Sequence, residues 1–152
     1  MRELPEVELW VVGERLISDR GDDMAALLGG SGLGERLRML GYRDDVAAVM
    51  AAADIFVLPS YFEAMPMTVI GAMLVGLPVV ASDVGGPREQ IVADVTGLLV
   101  PPRQVTPLVE ALARLAADSN LRAAMGLAGR KRAMALYDEA KVVARTVELL
   151  GL

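Results

Sequence analysis

Phe56-Val57-Leu58-Pro59-Ser60-Tyr61-Phe62-Glu63-Ala64-Met65-Pro66-Met67-Thr68 is a short apolar run that breaks into a polar loop and passes directly into a helical pattern. An apolar strand followed at once by a helix is half of a strand-helix-strand unit, whose second strand runs parallel to the first. That second strand is expected at 78–82, with the crossover helix at 66–75, opened by Pro66 where a first helical turn tolerates proline. The first strand is expected at 54–58; working outward, further strands are expected at 7–12, 36–40 and 97–100, and a helix at 45–53 with an acidic start. The strands are apolar almost throughout, as strands covered on both faces are. The expected fold is α/β, a Rossmann-like parallel sheet with flanking helices. After the last strand only helices are expected, at 105–117, 120–136 and 138–150, the first with Leu108, Leu112 and Leu115 on one face.

With 152 residues, 54% of them hydrophobic, the chain can close one ordinary core. Its net charge of −5 offers no basic stripe for a phosphate backbone, so nucleic acid is not expected as a partner. The sequence holds no cysteine and no histidine, which removes thiol nucleophiles, disulfides, thiolate or imidazole metal sites and histidine-dependent triads. No metal site is expected, and any chemistry falls to carboxylates, hydroxyls and backbone. The acidic, proline-bearing start and the lack of a spanning apolar run point to a cytoplasmic domain without a transmembrane segment. The glycine-rich stretch Gly29-Gly30-Ser31-Gly32-Leu33-Gly34 does not complete a dinucleotide fingerprint, because Glu35 stands where its third glycine belongs. It reads as a helix-to-strand loop.

Ligands of open parallel sheets bind beyond the carboxyl ends of the strands, where a helix N-terminus offers N–H groups to phosphate. Three loops there are candidates. Around Glu63 the carboxylate would repel a phosphate, so it either faces an uncharged sugar or merely complements the helix dipole. In Ser82-Asp83-Val84-Gly85-Gly86-Pro87-Arg88-Glu89-Gln90 the paired glycines let backbone approach a ligand, or serve a tight turn. In Gly41-Tyr42-Arg43-Asp44-Asp45 the tyrosine and arginine flank a base or cap the fold.

Read in order, these segments resemble the C-terminal domain of the family-4 retaining glycosyltransferases, half of a GT-B fold. The likeness runs from Val11-Val12-Gly13 through Leu40-Gly41-Tyr42-Arg43, Glu63-Ala64-Met65-Pro66, Ala72-Met73 and Gly76-Leu77-Pro78 to Gly85-Gly86, Glu89 and Thr96-Gly97-Leu98-Leu99-Val100-Pro101-Pro102. The resemblance implies a domain that binds a UDP- or GDP-linked sugar as substrate and needs no cofactor, acting with an N-terminal domain that holds the acceptor. It implies Glu63 as donor-sugar contact. Gly41, Tyr42, Arg43, Ser60, Met65, Met67, Thr68, Gly71, Gly85, Gly86 and Glu89 complete the implied donor-binding set, with the amides around Met65, Met67 and Thr68 near the diphosphate.

Two departures follow from the same resemblance. The family's second glutamate, which binds the ribose hydroxyls eight positions after the first, is Gly71 here. The family's domain also starts one strand and one helix earlier, with an arginine and a lysine for the diphosphate, so residues 1–152 are expected to be a single domain lacking that strand and helix. Three expectations result: weak or absent donor binding, no complete catalytic set and no transfer by the isolated chain. The strand 7–12 is expected to pair directly with 54–58, or else the exposed sheet edges support self-association. The alternative is a degenerate or engineered module that acts in binding or assembly.

Overall fold

The computed structural model describes residues 7–13, 30 and 32–151. The chain falls into two compact units, Met1–Val46 and Ala47–Leu152. In the first, β1 (Leu9–Val12) pairs in parallel with β2 (Leu37–Gly41), in the register Leu9 to Leu37 and Val11 to Met39, with an irregularity before Val12 meets Gly41. A single 3-10 turn, Gly34–Arg36, leads into β2, and Gly32 and Gly34 take left-handed φ values of 70° and 56°, as a loop into a strand allows for glycine. The helical pattern expected ahead of that loop lies outside the described residues. At the strand starts Glu8 accepts from Trp10 Nε1 at 3.0 Å and pairs with Arg38 at 3.2 Å. Those donors hold the Glu8 carboxyl below its ordinary range, the Trp10 bond first.

The second unit is built on a three-stranded parallel sheet in the order β3 (Phe56–Leu58), β4 (Val79–Ser82), β5 (Gly97–Val100). A short helix, α1 (Val46–Ala51), precedes β3, and α2 (Met67–Val75) crosses over from β3 to β4. The six-residue α3 (Gly85–Gln90) lies between β4 and β5. Then come α4 (Val105–Ala117), α5 (Ser119–Leu136) and α6 (Glu139–Leu150). The expected α/β fold with terminal helices is the one observed. A direct β1–β3 pairing is not among the strand pairings of the described residues.

Every residue of β4 is buried, as the middle strand of a covered sheet must be. On one side Val80, Leu98 and Val100 pack with Ala111, Leu115 and Met125 from α4 and α5, with Leu108, Leu112 and Leu121 partly covering them. Full burial of Leu115 or Met125 contributes about 1.5–3 kcal/mol each. α2 is apolar almost all round, with Val69, Ala72 and Met73 fully buried, and α5 lies close against it. The approach is tight because α5 presents Gly126, whose missing Cβ would fall on the Gly76 carbonyl at the end of α2. Gly76 itself ends α2 in a left-handed cap with φ 87°. All twelve residues of α6 are exposed, including Val142, Val143, Val147, Leu149 and Leu150.

Several boundaries differ from the expectation for identifiable reasons. Pro66 is the N-cap of α2 with ψ 113°, not part of its first turn, since its carbonyl is already accepting from Val69 N at 3.2 Å. Gly85-Gly86-Pro87 opens α3 where a tight turn was the competing reading, and Pro87 has no N–H to lose in a first turn. α5 starts at Ser119 rather than at residue 120, because Asp118 caps it by accepting from Leu121 N at 2.9 Å. Asp138 caps α6 in the same way through Lys141 N, so that helix starts at Glu139.

Gly126→Ala forces a methyl group onto the Gly76 backbone. The variant is expected to lose about 1–3 kcal/mol of unfolding free energy in urea, as overpacking of a rigid contact does.

Candidate functional site

Because β3, β4 and β5 are parallel, the three loops that follow them leave the same edge of the sheet. The loop after β3 carries Ser60 and Glu63. Ser60 Oγ donates to Glu63 Oε1 at 2.8 Å, which fixes one oxygen of a half-buried carboxylate and leaves the other for a further donor. The backbone of this loop is held by the helix that follows β4. Gly86 N donates to the Glu63 carbonyl at 3.0 Å, and a Cβ on Gly85 or Gly86 would collide with the carbonyl oxygens of Glu63 and Ala64, respectively. The two glycines are therefore needed for contact between the loops.

Gln90, at the far end of α3, supplies a second tie. It is fully buried, and its Nε2 donates to the Pro66 carbonyl at 3.1 Å and lies 3.2 Å from Met65 Sδ. Its Oε1 has no partner among the described residues. Arg132 on α5 in turn donates through Nε to the Gln90 carbonyl and through Nη2 to the Glu89 carbonyl, both at 2.8 Å. Those are the last carbonyls of α3, which a guanidinium suits by charge as well as geometry. A continuous set of bonds thus runs from α5 through α3 to the Glu63 carbonyl and to Met65 and Pro66 just after it. Arg88 closes the loop after β4 by donating to Asp83 Oδ1 at 2.7 Å and to the Asp83 carbonyl at 3.0 Å. That hydrogen bond raises the Arg88 pKa further.

Of the residues expected at the site, Ser60, Glu63, Gly85 and Gly86 are brought into direct contact, and Met65 meets Gln90. Met67 and Thr68 form the first turn of α2 and are exposed. Gly71 lies three residues beyond Thr68 in the same helix. A Cβ there would meet only Met50 Sδ at 3.6 Å and Cε at 3.9 Å, ordinary contact distances. Gly71 is therefore not required by packing or by backbone conformation. Glu89 is exposed, with its carbonyl held by Arg132.

Gly41, Tyr42 and Arg43 belong to the first unit. Gly41 has φ 64° and accepts from Gly13 N at 2.8 Å, and Tyr42 is exposed. Arg43 is forked onto Asp45, Nε to Oδ1 at 2.7 Å and Nη2 to Oδ2 at 2.6 Å, so much of its donor capacity is already used. The pair holds the Asp45 carboxyl below its usual range, through the hydrogen bond first and the charge second. Sequence reading missed Gln90 and Arg132. A glutamine between Glu89 and Ile91 gave one signal, since a short helix between two buried strands has few exposed positions. Arg132, within Arg130-Lys131-Arg132, gave none.

Among the described residues no three metal-ligating side chains cluster, and no helix is long and apolar enough to cross a membrane. The family model for glycosyl transferases group 1 matches residues 1–132. Among curated proteins, the chain is 34% identical over 89 residues to an Escherichia coli UDP-Gal:alpha-D-GlcNAc-diphosphoundecaprenol alpha-1,3-galactosyltransferase, covering 59% of this chain and 23% of that protein. It is 28% identical over 148 residues to the lipopolysaccharide core biosynthesis glycosyltransferase LpsE of Rhizobium meliloti, covering 97% of this chain and 43% of that protein. The chain thus spans less than half the length of these relatives. Among solved structures, Anabaena Alr3699/HepE in complex with UDP superposes with a TM-score of 0.90 at 28% identity, over 97% of this chain and 41% of that one.

The glycines on either side of the loop contact predict opposite responses. Gly86→Ala is expected to cost about 1–3 kcal/mol and to shift the amide resonances of residues 63–66, because the Ala64 carbonyl must move. Gly71→Ala is expected to gain about 0.5–1 kcal/mol, the ordinary preference of a helix interior. Thermal melts and amide spectra of the two variants check both.

Proposed function

This chain belongs to the glycosyl transferases group 1 family, and from that membership we propose that it is the donor-binding part of an enzyme that moves a sugar from a UDP- or GDP-linked donor to an acceptor with retention. The observation that carries the reading is the Ser60-Glu63 loop held against Gly85-Gly86 at the carboxyl edge of the sheet, in a chain similar to a protein solved with UDP.

In this reading the diphosphate lies at the start of α2, around Met67 and Thr68, where helix N–H groups and the dipole favour negative charge. Glu63 lies on the uncharged sugar and accepts hydroxyl protons there, since next to the diphosphate its charge would be repelled. Ser60 serves by fixing one carboxylate oxygen, so Glu63 meets the sugar already oriented. In this reading retention follows from departure of the nucleoside diphosphate and attack by the acceptor hydroxyl on the same face. Stabilising the departing diphosphate is then the main catalytic contribution. An acceptor-binding domain completes the proposed enzyme.

Gly71 limits the proposal. A glutamate at this place would accept from both ribose hydroxyls, and each such bond to a charged group contributes about 1.5–3 kcal/mol in a site closed to water. Without it the donor is held weakly, and the 152-residue chain alone is proposed not to turn it over. The same residue favours a second reading, a module of this family kept for binding or assembly without catalysis. Self-association through the outer edge of β3, which has a strand partner on one side among the described residues, belongs to that reading. A monodisperse monomer in light scattering would remove it.

Calorimetric titration with UDP and with GDP tests the assignment of position 71. Gly71→Glu is expected to tighten one of the two nucleotides by tenfold or more, corresponding to at least about 1.4 kcal/mol. A Cβ at this position meets only Met50, at ordinary contact distances. Equal affinity before and after the substitution would remove the assignment.

A further inference from the structure

Arg103 lies in the loop Pro101-Pro102-Arg103-Gln104 that leaves the carboxyl end of β5, and its guanidinium carbon stands 4.9 Å from the centre of the Tyr61 ring. Tyr61 is in the loop that leaves β3, and β4 lies between the two strands. The contact therefore joins the two outer loops of one sheet edge across the middle one. At that distance a cation is attracted by the face of the ring.

Three observations set this group apart. The Arg103 backbone is left-handed, with φ 62°, a conformation that is costly for side chains other than glycine, asparagine and aspartate. The other such residue among the described residues, Asp94 at φ 61°, is of a tolerant type and is tied to Arg114 at 2.6 Å. Second, Arg38, Arg43, Arg88, Arg114, Arg122 and Arg145 each pair with a carboxylate, while Arg103, like Arg130, Lys131, Arg132 and Lys141, has none within salt-bridge distance among the described residues. Third, the rings beside Glu63 are left in water: Tyr61 is 67% exposed, and Phe62, at 82%, is the most exposed large apolar side chain among the described residues. In a chain of net charge −5, a cation without a carboxylate, held over the Tyr61 ring, whose sequence neighbour Phe62 is also exposed, selects for a ligand that is itself anionic and has an apolar face.

We propose that Tyr61, Phe62 and Arg103 form an acceptor subsite for a sugar that carries an anionic group, a phosphate or a carboxylate. The rings, whose faces carry partial negative charge, receive the C–H face of the sugar. Arg103 receives the anion through its free N–H groups. The location as an acceptor subsite rests on the reading of Glu63 as the donor-sugar contact, because an acceptor must lie next to that sugar. The binding does not rest on it.

Amide spectra of the full chain, titrated separately with N-acetylglucosamine 1-phosphate, glucuronic acid, N-acetylglucosamine, inorganic phosphate and UDP, test the proposal. Saturable shifts are expected at Tyr61, Phe62, Arg103 and Gln104 with the sugar phosphate or with glucuronic acid, and which of the two binds more tightly identifies the anion. The neutral sugar and inorganic phosphate are expected to bind about tenfold more weakly, as each lacks one of the two contacts. Arg103→Gly is expected to weaken the anionic sugar by about tenfold. It should do so without lowering the melting temperature, because relief of the left-handed backbone offsets both the lost ring contact and the freedom of glycine in the unfolded chain.

Three results would overturn the proposal: no saturable shift with either anionic sugar, equal binding of the neutral one, or no effect of Arg103→Gly. A loss of UDP binding in Arg103→Gly would assign the cation to the donor diphosphate and would also overturn it. Failure of the donor reading appears separately, as absence of UDP shifts in Gly71→Glu, while the anionic-sugar titration still reports on Arg103.

Discussion

The hydrogen bond from Gly86 N to the Glu63 carbonyl, at 3.0 Å, sets the geometry of the candidate site. It forms where two loops approach so closely that neither Gly85 nor Gly86 has space for a Cβ. The close approach is possible because β4 is the central strand and every one of its residues is buried. The α3 helix that follows it is thereby held over the sheet, with its carbonyl end on Arg132 and its buried Gln90 on the Pro66 carbonyl. Glu63 is thus carried on backbone held at its own carbonyl and at Pro66, and Ser60 then sets its carboxylate. A carboxylate held this way can discriminate between hydroxyl positions of a sugar, which a mobile loop cannot do.

The fold was largely legible because its signals are periodic and redundant. Strand-and-helix alternation locates the second unit from β3 onward, and α4 is found at 105–117 from its leucine spacing. Where the sequence misled, the decision lay in contacts between distant segments. Gly85-Gly86-Pro87 has the composition of a turn, and only the Glu63 loop pressed against it explains why it is the start of a helix. Asp118 and Asp138 cap their helices through side-chain bonds, which move the helix starts by one residue relative to pattern alone. Gln90 and Arg132 were illegible for the same reason. Each reaches a backbone carbonyl 24 or 42 residues away, and periodicity carries no information about such partners.

Among the candidate residues, Glu63 and the glycine pair were chosen for their place after strands, and the structure brings them into contact. Arg43 was read as flanking a base or capping the fold, and its guanidinium is forked onto Asp45. Gly71 was identified by resemblance as a missing carboxylate. The space around it, bounded by the thioether of Met50, shows that no packing constraint imposes glycine there. Composition also separates what the chain can do from what it cannot. With no histidine and no cysteine, proton transfer and nucleophilic chemistry by those groups are absent.

The most direct test of the central claim is a map of amide shifts in the unmodified chain on titration with UDP at millimolar concentration. The account predicts weak, saturable shifts concentrated in residues 60–68 and at Gly85 and Gly86. Shifts confined to other parts of the chain, or a complex too tight to fit a domain without a carboxylate at position 71, would contradict it.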